Sequence, residues 1–179
     1  MHDGVVQDPA DWTGNLALDL VAWARTQEGK PLTYSMIGHS AGAQFLERLA
    51  AFVPHEARLI VIANPGAHVM PTMEVNAPYG FGKVYSGSAG DEALKRYLSQ
   101  PLVMMLGEND TEPDPRDGAG ARSQGANRLD RGLRTFNQAR QLAAGRGWPF
   151  NWKLIRVPGV GHSSKKMYAA PEAATLFAQ

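Results

Sequence analysis

The stretch Tyr34-Ser35-Met36-Ile37-Gly38-His39-Ser40-Ala41-Gly42 decides how this chain is read. Tyr34 to Ile37 reads as a short buried strand that enters Gly38, and a helical run from about Ala41 to Phe52 follows, ended by Pro54. A Ser held in a tight strand-to-helix turn takes strained backbone angles, and flanking glycines let the chain approach itself closely. The turn lifts the hydroxyl clear of the sheet. The helix behind it points its unpaired N–H groups at whatever the Ser attacks. The competing reading is a Gly-rich loop with a chance match, and the strand before and helix after Ser40 weigh against it.

Working outward, short apolar runs alternate with longer helical patterns. Upstream, Thr13 reads as an N-cap, with Leu16, Leu20, Trp23 and Ala24 at helical spacing and Gly29 as the stop. Downstream, Arg58 to Ala63, Leu102 to Leu106 and Trp152 to Val157 read as three more strands. Their apolar runs are continuous, the mark of strands covered on both faces in a parallel sheet. Residues 64–100 are irregular and rich in Gly, Pro and aromatics, with one helix expected from Asp91 to Leu98. Arg116 to Gly125 reads as a loop. A long amphipathic helix carries Leu129, Leu133, Phe136 and Leu142, with Gly145 beyond its end, and a helical tail from Ser164 to Ala178 is broken at Pro171. The expected fold class is α/β: a mostly parallel sheet of about four strands flanked by helices, in a single domain over 1–179 with a possible lid or insert at 65–100.

Composition narrows the function. With 179 residues, a hydrophobic fraction of 44% and a formal net charge of +1, the chain is a packed globule without the basic excess that nucleic acid would ask for. No run approaches the roughly 18 apolar residues of a membrane helix. The absence of cysteine excludes a disulfide scaffold, a thiolate zinc site and a cysteine nucleophile. Met1 to Gly4 carries no basic stretch leading into an apolar core, so no secretory signal is read and the default location is cytoplasmic.

Two further groups stand where chemistry gathers in open α/β sheets, past the carboxyl ends of strands. Leu102 to Leu106 runs into Gly107-Glu108-Asn109-Asp110, and Trp152 to Val157 runs into Pro158-Gly159-Val160-Gly161-His162. Three residue types in the order Ser40, Asp110, His162, each after its own strand, are hard to obtain by accident. Glu108 and Asp114 are alternative acids; Asp110 is preferred because Glu108 precedes the turn and Asp114 lies beyond Pro113.

With its Gly-His-Ser-Ala-Gly elbow, its Gly-x-x-Asp after a strand and its Gly-His near the end, the chain resembles the α/β-hydrolase superfamily of serine esterases and lipases. The resemblance spans essentially the whole sequence. It implies Ser40 as nucleophile, His162 as base, Asp110 as the acid that fixes the imidazole, and the Ala41 backbone N–H as one oxyanion donor. It implies hydrolysis of a small-molecule ester through an acyl-enzyme, with no cofactor and no metal. Lyase, perhydrolase or haloperoxidase chemistry uses the same triad, and a catalytically idle module acting in binding or assembly is the alternative from another class.

The departure from the family lies before Tyr34. The residues there suffice for one extended segment, at most Gly4 to Gln7, and one helix, so the fold reads as N-terminally shortened. No His-Gly-Gly-Gly stretch supplies a second oxyanion N–H. The Tyr34–Ile37 strand, central in the family, becomes an edge, and an apolar edge invites pairing. A homodimer or companion chain, a fragment of a longer protein, and a remodelled fold are the three explanations. His39, Tyr79, Phe81 and Tyr85 are candidates for lining a substrate pocket, against an equal reading in which the aromatics anchor a loop to the core. His2, His39, His55 and His68 show no metal-ligand spacing, and single histidines like these read as surface or packing residues.

Overall fold

The computed structural model describes residues 5–176. Four strands, β1 (Ser35–His39), β2 (Leu59–Ala63), β3 (Leu102–Gly107) and β4 (Lys153–Val157), form one sheet in the order β1-β2-β3-β4. Every neighbouring pair is parallel, with Ile37 opposite Val61, Val61 opposite Val103 and Met105 opposite Ile155. Between and around them lie α1 (Gly14–Glu28), α2 (Ala41–Phe52), α3 (Ser88–Leu98), α4 (Ala119–Arg122), α5 (Arg128–Arg146), α6 (Ser164–Ala169) and α7 (Pro171–Ala174).

The two-residue period of a strand sorts its side chains onto two faces. Ile60, Ile62, Leu102, Met104 and Leu106 point to one, where Leu46 and Ala50 of α2, Leu94 and Leu98 of α3, and Phe136 and Ala139 of α5 cover them. Val61, Ala63, Val103, Met105 and Val157 point to the other, against Met167 of α6 and Ala173 of α7. Both faces of β2 and β3 are therefore dry, which is why their runs are unbroken in apolar residues.

At β1 the layers stop. Among the described residues it pairs with β2 alone, Ser35 is exposed and Ile37 is 45% exposed. Helix α1 touches α2 at its start, where a Cβ on Gly14 would meet Val53 at 2.8 Å. Its expected apolar positions Leu16, Leu20 and Trp23 stand 67%, 64% and 60% exposed, so no described element covers the stripe their spacing suggested.

Several boundaries differ from expectation for local reasons. The strand expected from Tyr34 begins at Ser35 and runs on to His39, delivering Ser40 from the last strand residue. Helix α3 begins at Ser88, three residues before Asp91, after Gly87 turns the chain at φ 56°. The loop expected at Arg116 to Gly125 contains the short α4. Gly145 lies inside α5, which is stopped instead by Gly147 in the left-handed region at φ 64°. Val5 to Gln7 adds no strand to the sheet, and Gly4, His2 and residues 177–179 lie outside the described residues.

Candidate active site

The site grows from the end of β1. Ser40 has φ 55° and ψ −116°, a conformation that costs a non-glycine residue on the order of 1–3 kcal/mol and persists because its surroundings impose it. Ser40 N–H donates to the Ala63 carbonyl of β2 at 2.9 Å, and the Ser40 carbonyl accepts from Gln44 N–H at 3.0 Å, so strand and helix grip it from both sides. Gly38 allows this closeness, because a Cβ there would sit 2.6 Å from the Gly42 carbonyl. Gly42 does not share that duty: a Cβ on it would meet nothing within 4 Å, which corrects the expectation that both glycines serve close approach. Ala41 is the first residue of α2, no side chain caps that end, and its N–H belongs to the set a helix cannot satisfy internally.

The other two groups arrive from β3 and β4 through turns laced together. Gly107 ends β3 under the β4 loop, where a Cβ would lie 2.4 Å from the Val160 carbonyl. Glu108 N–H donates to the Val157 carbonyl at 3.0 Å, and Asn109 N–H to that of Val160 at 2.9 Å. Asn64, at φ 45° just past β2, is 1% exposed and braces both turns. Its side-chain oxygen accepts from Gly107 N–H at 2.8 Å, and its amide donates to the Gly161 carbonyl at 3.1 Å.

These turns bring the three groups together. Asp110 Oδ2 lies 2.8 Å from His162 Nδ1, and His162 Nε2 lies 3.0 Å from Ser40 Oγ. The carboxylate at Nδ1 assigns the imidazole proton there, leaving Nε2 to accept from the Ser40 hydroxyl. The Asp110 side chain is 2% exposed and the imidazole 29%, so the carboxylate is dry and the ring is open. The alternative acids are occupied elsewhere: Glu108 pairs with Arg156 at 2.9 Å, and Asp114 with Arg128 and Arg116. The bonds from Arg116 hold the Asp114 carboxyl well below the usual carboxylate range.

No protein-family model and no curated protein sequence matches this chain. Solved structures do. The chain is similar to LpqC, a poly(3-hydroxybutyrate) depolymerase from Bordetella parapertussis, at 30% identity and a TM-score of 0.86 over 98% of this chain. It is similar to poly(aspartic acid) hydrolase-1 from Sphingomonas sp. KT-1 at 30% identity and 0.83 over 93%. The fold is that of an α/β-hydrolase. This chain spans 64% of the length of each neighbour.

Around Ser40, the remaining candidates divide. The His39 ring lies 4.7 Å from that of His162, tilted by 44°, with its Nε2 buried and unpartnered. Burial first, then the neighbouring His162, lowers its basicity below the ordinary imidazole range. Phe81 is fully buried among Phe52, Tyr85 and Tyr97, where it packs the 65–100 segment against the core. Tyr85 is half-buried against Phe81, and its hydroxyl accepts from Arg96 at 3.4 Å. Tyr79 is half-buried beside Gly118 and Gly120, where a Cβ on Gly120 would strike its ring at 2.3 Å.

Two residues of the site were absent from the sequence reading. Asn64 carries a faint signal, since an Asn directly after a buried strand tolerates positive φ. Arg128 carries none, being one arginine among several at a helix start. Among the described residues no cluster of three His, Asp or Glu groups could hold a metal ion, and no helix is long and apolar enough to cross a membrane.

Proposed function

We propose that this chain is a serine hydrolase that cleaves an ester through an acyl-enzyme on Ser40. The observation that carries the reading is the continuous line from Ser40 Oγ through both nitrogens of His162 to Asp110, at 3.0 and 2.8 Å. His162 Nε2 takes the hydroxyl proton as Oγ attacks the carbonyl carbon. The Ala41 N–H faces the oxygen that becomes negative, and deleting such a donor costs about 2.7–4 kcal/mol in comparable enzymes. The tetrahedral centre collapses as His162 returns its proton to the leaving alkoxide. Water then repeats the sequence on the acyl-enzyme and frees Ser40. Asp110 holds the imidazole tautomer and stabilises the imidazolium in both halves.

The named activity of the Bordetella neighbour favours an ester, and specifically a polyester of short hydroxyacids; that of the Sphingomonas neighbour points to an amide. A fluorophosphonate probe is expected to label Ser40 in the folded protein and to fail on Ser40→Ala; absence of labelling removes the reading. Comparing soluble 3-hydroxybutyrate oligomers with poly(aspartic acid) then separates ester from amide.

One observation favours a second reading, in which the fold serves binding or assembly. Leu16, Leu20 and Trp23 of α1 and Ile37 of β1 are exposed apolar residues, and among the described residues β1 pairs with β2 alone. Turnover of p-nitrophenyl acetate that disappears in His162→Ala dismisses an idle module.

A further inference from the structure

We propose that Arg128 is a positioning residue for the Ser40–His162–Asp110 set, gripping one oxygen of Asp110 so that the other faces the imidazole. This rests on the serine-hydrolase reading above. Asp110 divides its carboxylate between two partners: Oδ2 accepts from His162 Nδ1 at 2.8 Å, and Oδ1 accepts from Arg128 Nη1 at 3.3 Å. A carboxylate held at one oxygen can still swing about its own axis. Held at both, its plane is set, and with it the imidazole it orients.

The arginine is itself fixed. It is the first residue of α5, its side chain is 8% exposed, and its second arm donates to Asp114. Leu129 N–H donates to the backbone carbonyl of Asp110 at 3.3 Å, a second tie between the helix start and the acid turn. A buried guanidinium is tolerated only when paired, and the two aspartates supply the pairing. Its planar fork reaches both at once, which a lysine ammonium cannot do.

The charge matters as well as the geometry. The charged and titratable groups around the His162 imidazole are Asp110 beyond β3, Arg128 of α5 behind it, Asp114 on the far arm of Arg128, and His39 of β1 across the ring. The guanidinium beside Asp110 offsets part of the negative charge that faces the imidazole, so removing Arg128 or Asp114 changes that charge in opposite directions.

The pH profile of kcat/KM for p-nitrophenyl acetate, measured on the full chain, reads this out. Arg128→Met is expected to move the acid limb to higher pH by roughly one unit, because the carboxylate then serves the imidazolium alone. Its plateau should fall about 10–100-fold as the acid loses its second grip. Arg128→Lys keeps the charge without the fork, so its limb stays near the parent's while its plateau falls. Asp114→Asn is expected to move the limb the opposite way, to lower pH, since the guanidinium then turns its full charge on Asp110. Should Arg128→Met fail to fold, that opposite sign carries the test. A purely structural arginine would lower the melting temperature and leave the limb in place in every folded variant, and that result overturns the proposal. Absence of fluorophosphonate labelling in the parent is a different failure, of the hydrolase reading itself, and is read first.

Discussion

His162 meets Asp110 and His68 meets Glu47 through the same ring nitrogen, at 2.8 and 3.1 Å. On paper the two pairs are alike. Their other nitrogens are not: His162 Nε2 opens toward solvent with Ser40 Oγ at 3.0 Å, whereas His68 Nε2 is buried with no partner. Glu47 is sealed at 0% exposure and also accepts from the Tyr97 hydroxyl at 3.1 Å and from Val69 N–H at 3.4 Å. Burial, then the charge of Glu47, pushes the Tyr97 hydroxyl far above its ordinary range, so it stays a donor. Gln124 clamps the same corner, accepting from His68 N–H at 2.8 Å and donating to its carbonyl at 2.7 Å. The second pair thus ties α2, the segment after β2, α3 and the loop before α5 into one knot. A carboxylate on an imidazole marks a site only where the far nitrogen has a nucleophile and room for a substrate.

Exchanging each carboxylate should separate the two pairs by what is lost. Asp110→Asn is expected to lower kcat by about 10⁴-fold, the size seen when a triad acid is neutralised and the wrong tautomer results. The melting temperature should change little. Equal losses in both quantities would place Asp110 with Glu47 as a structural group.

Glu47→Leu should do the reverse. It strands the His68 ring and the Val69 N–H in a dry interior and leaves the Tyr97 hydroxyl only the Val69 carbonyl at 3.2 Å, at a cost of about 3–5 kcal/mol. Urea unfolding reads the loss, and activity per folded molecule should stay within a few-fold of the parent. A large drop in turnover at unchanged stability would move this knot into the active site.

How much of this was legible follows from what each residue answers to. β2 and β3 were visible because both their faces are covered, and Ile60 to Ala63 or Leu102 to Leu106 could then be apolar without interruption. Ser40, Asp110 and His162 were visible because each follows its own strand, so chain order alone carried them to one rim. Helix α1 ends at Gly29 as its spacing implies, but Thr13 makes no side-chain cap bond at its start, and the spacing of Leu16, Leu20 and Trp23 could not say that no described element would cover them. Phe81 sits in a segment without periodicity, where an anchor and a pocket wall look alike. Arg128 and the Glu47–His68 pair were invisible for a common reason: their partners lie 18 and 21 residues away, and nothing local distinguishes a buried charge from a solvated one.

A smaller effect sharpens the comparison from the open side. His39, on the far flank of His162, is less basic than an ordinary imidazole, chiefly through burial. In the unfolded chain its ring titrates near the ordinary 6.5, so below that value the unfolded state binds the extra proton and the native state resists it. Stability therefore falls as pH drops through about 6.5, and is regained as pH rises. His55 is shifted the same way, burial again leading, and adds to the slope. His39→Gln should reduce the drop in melting temperature between pH 7.5 and 5.5 by about 1–2 °C, and His55→Gln should add to the reduction. Because His39 packs against the His162 ring and His55 does not, only the first substitution should also alter the acid limb of kcat/KM. An equal change in both limbs would mean that the contact at 4.7 Å does not reach the chemistry.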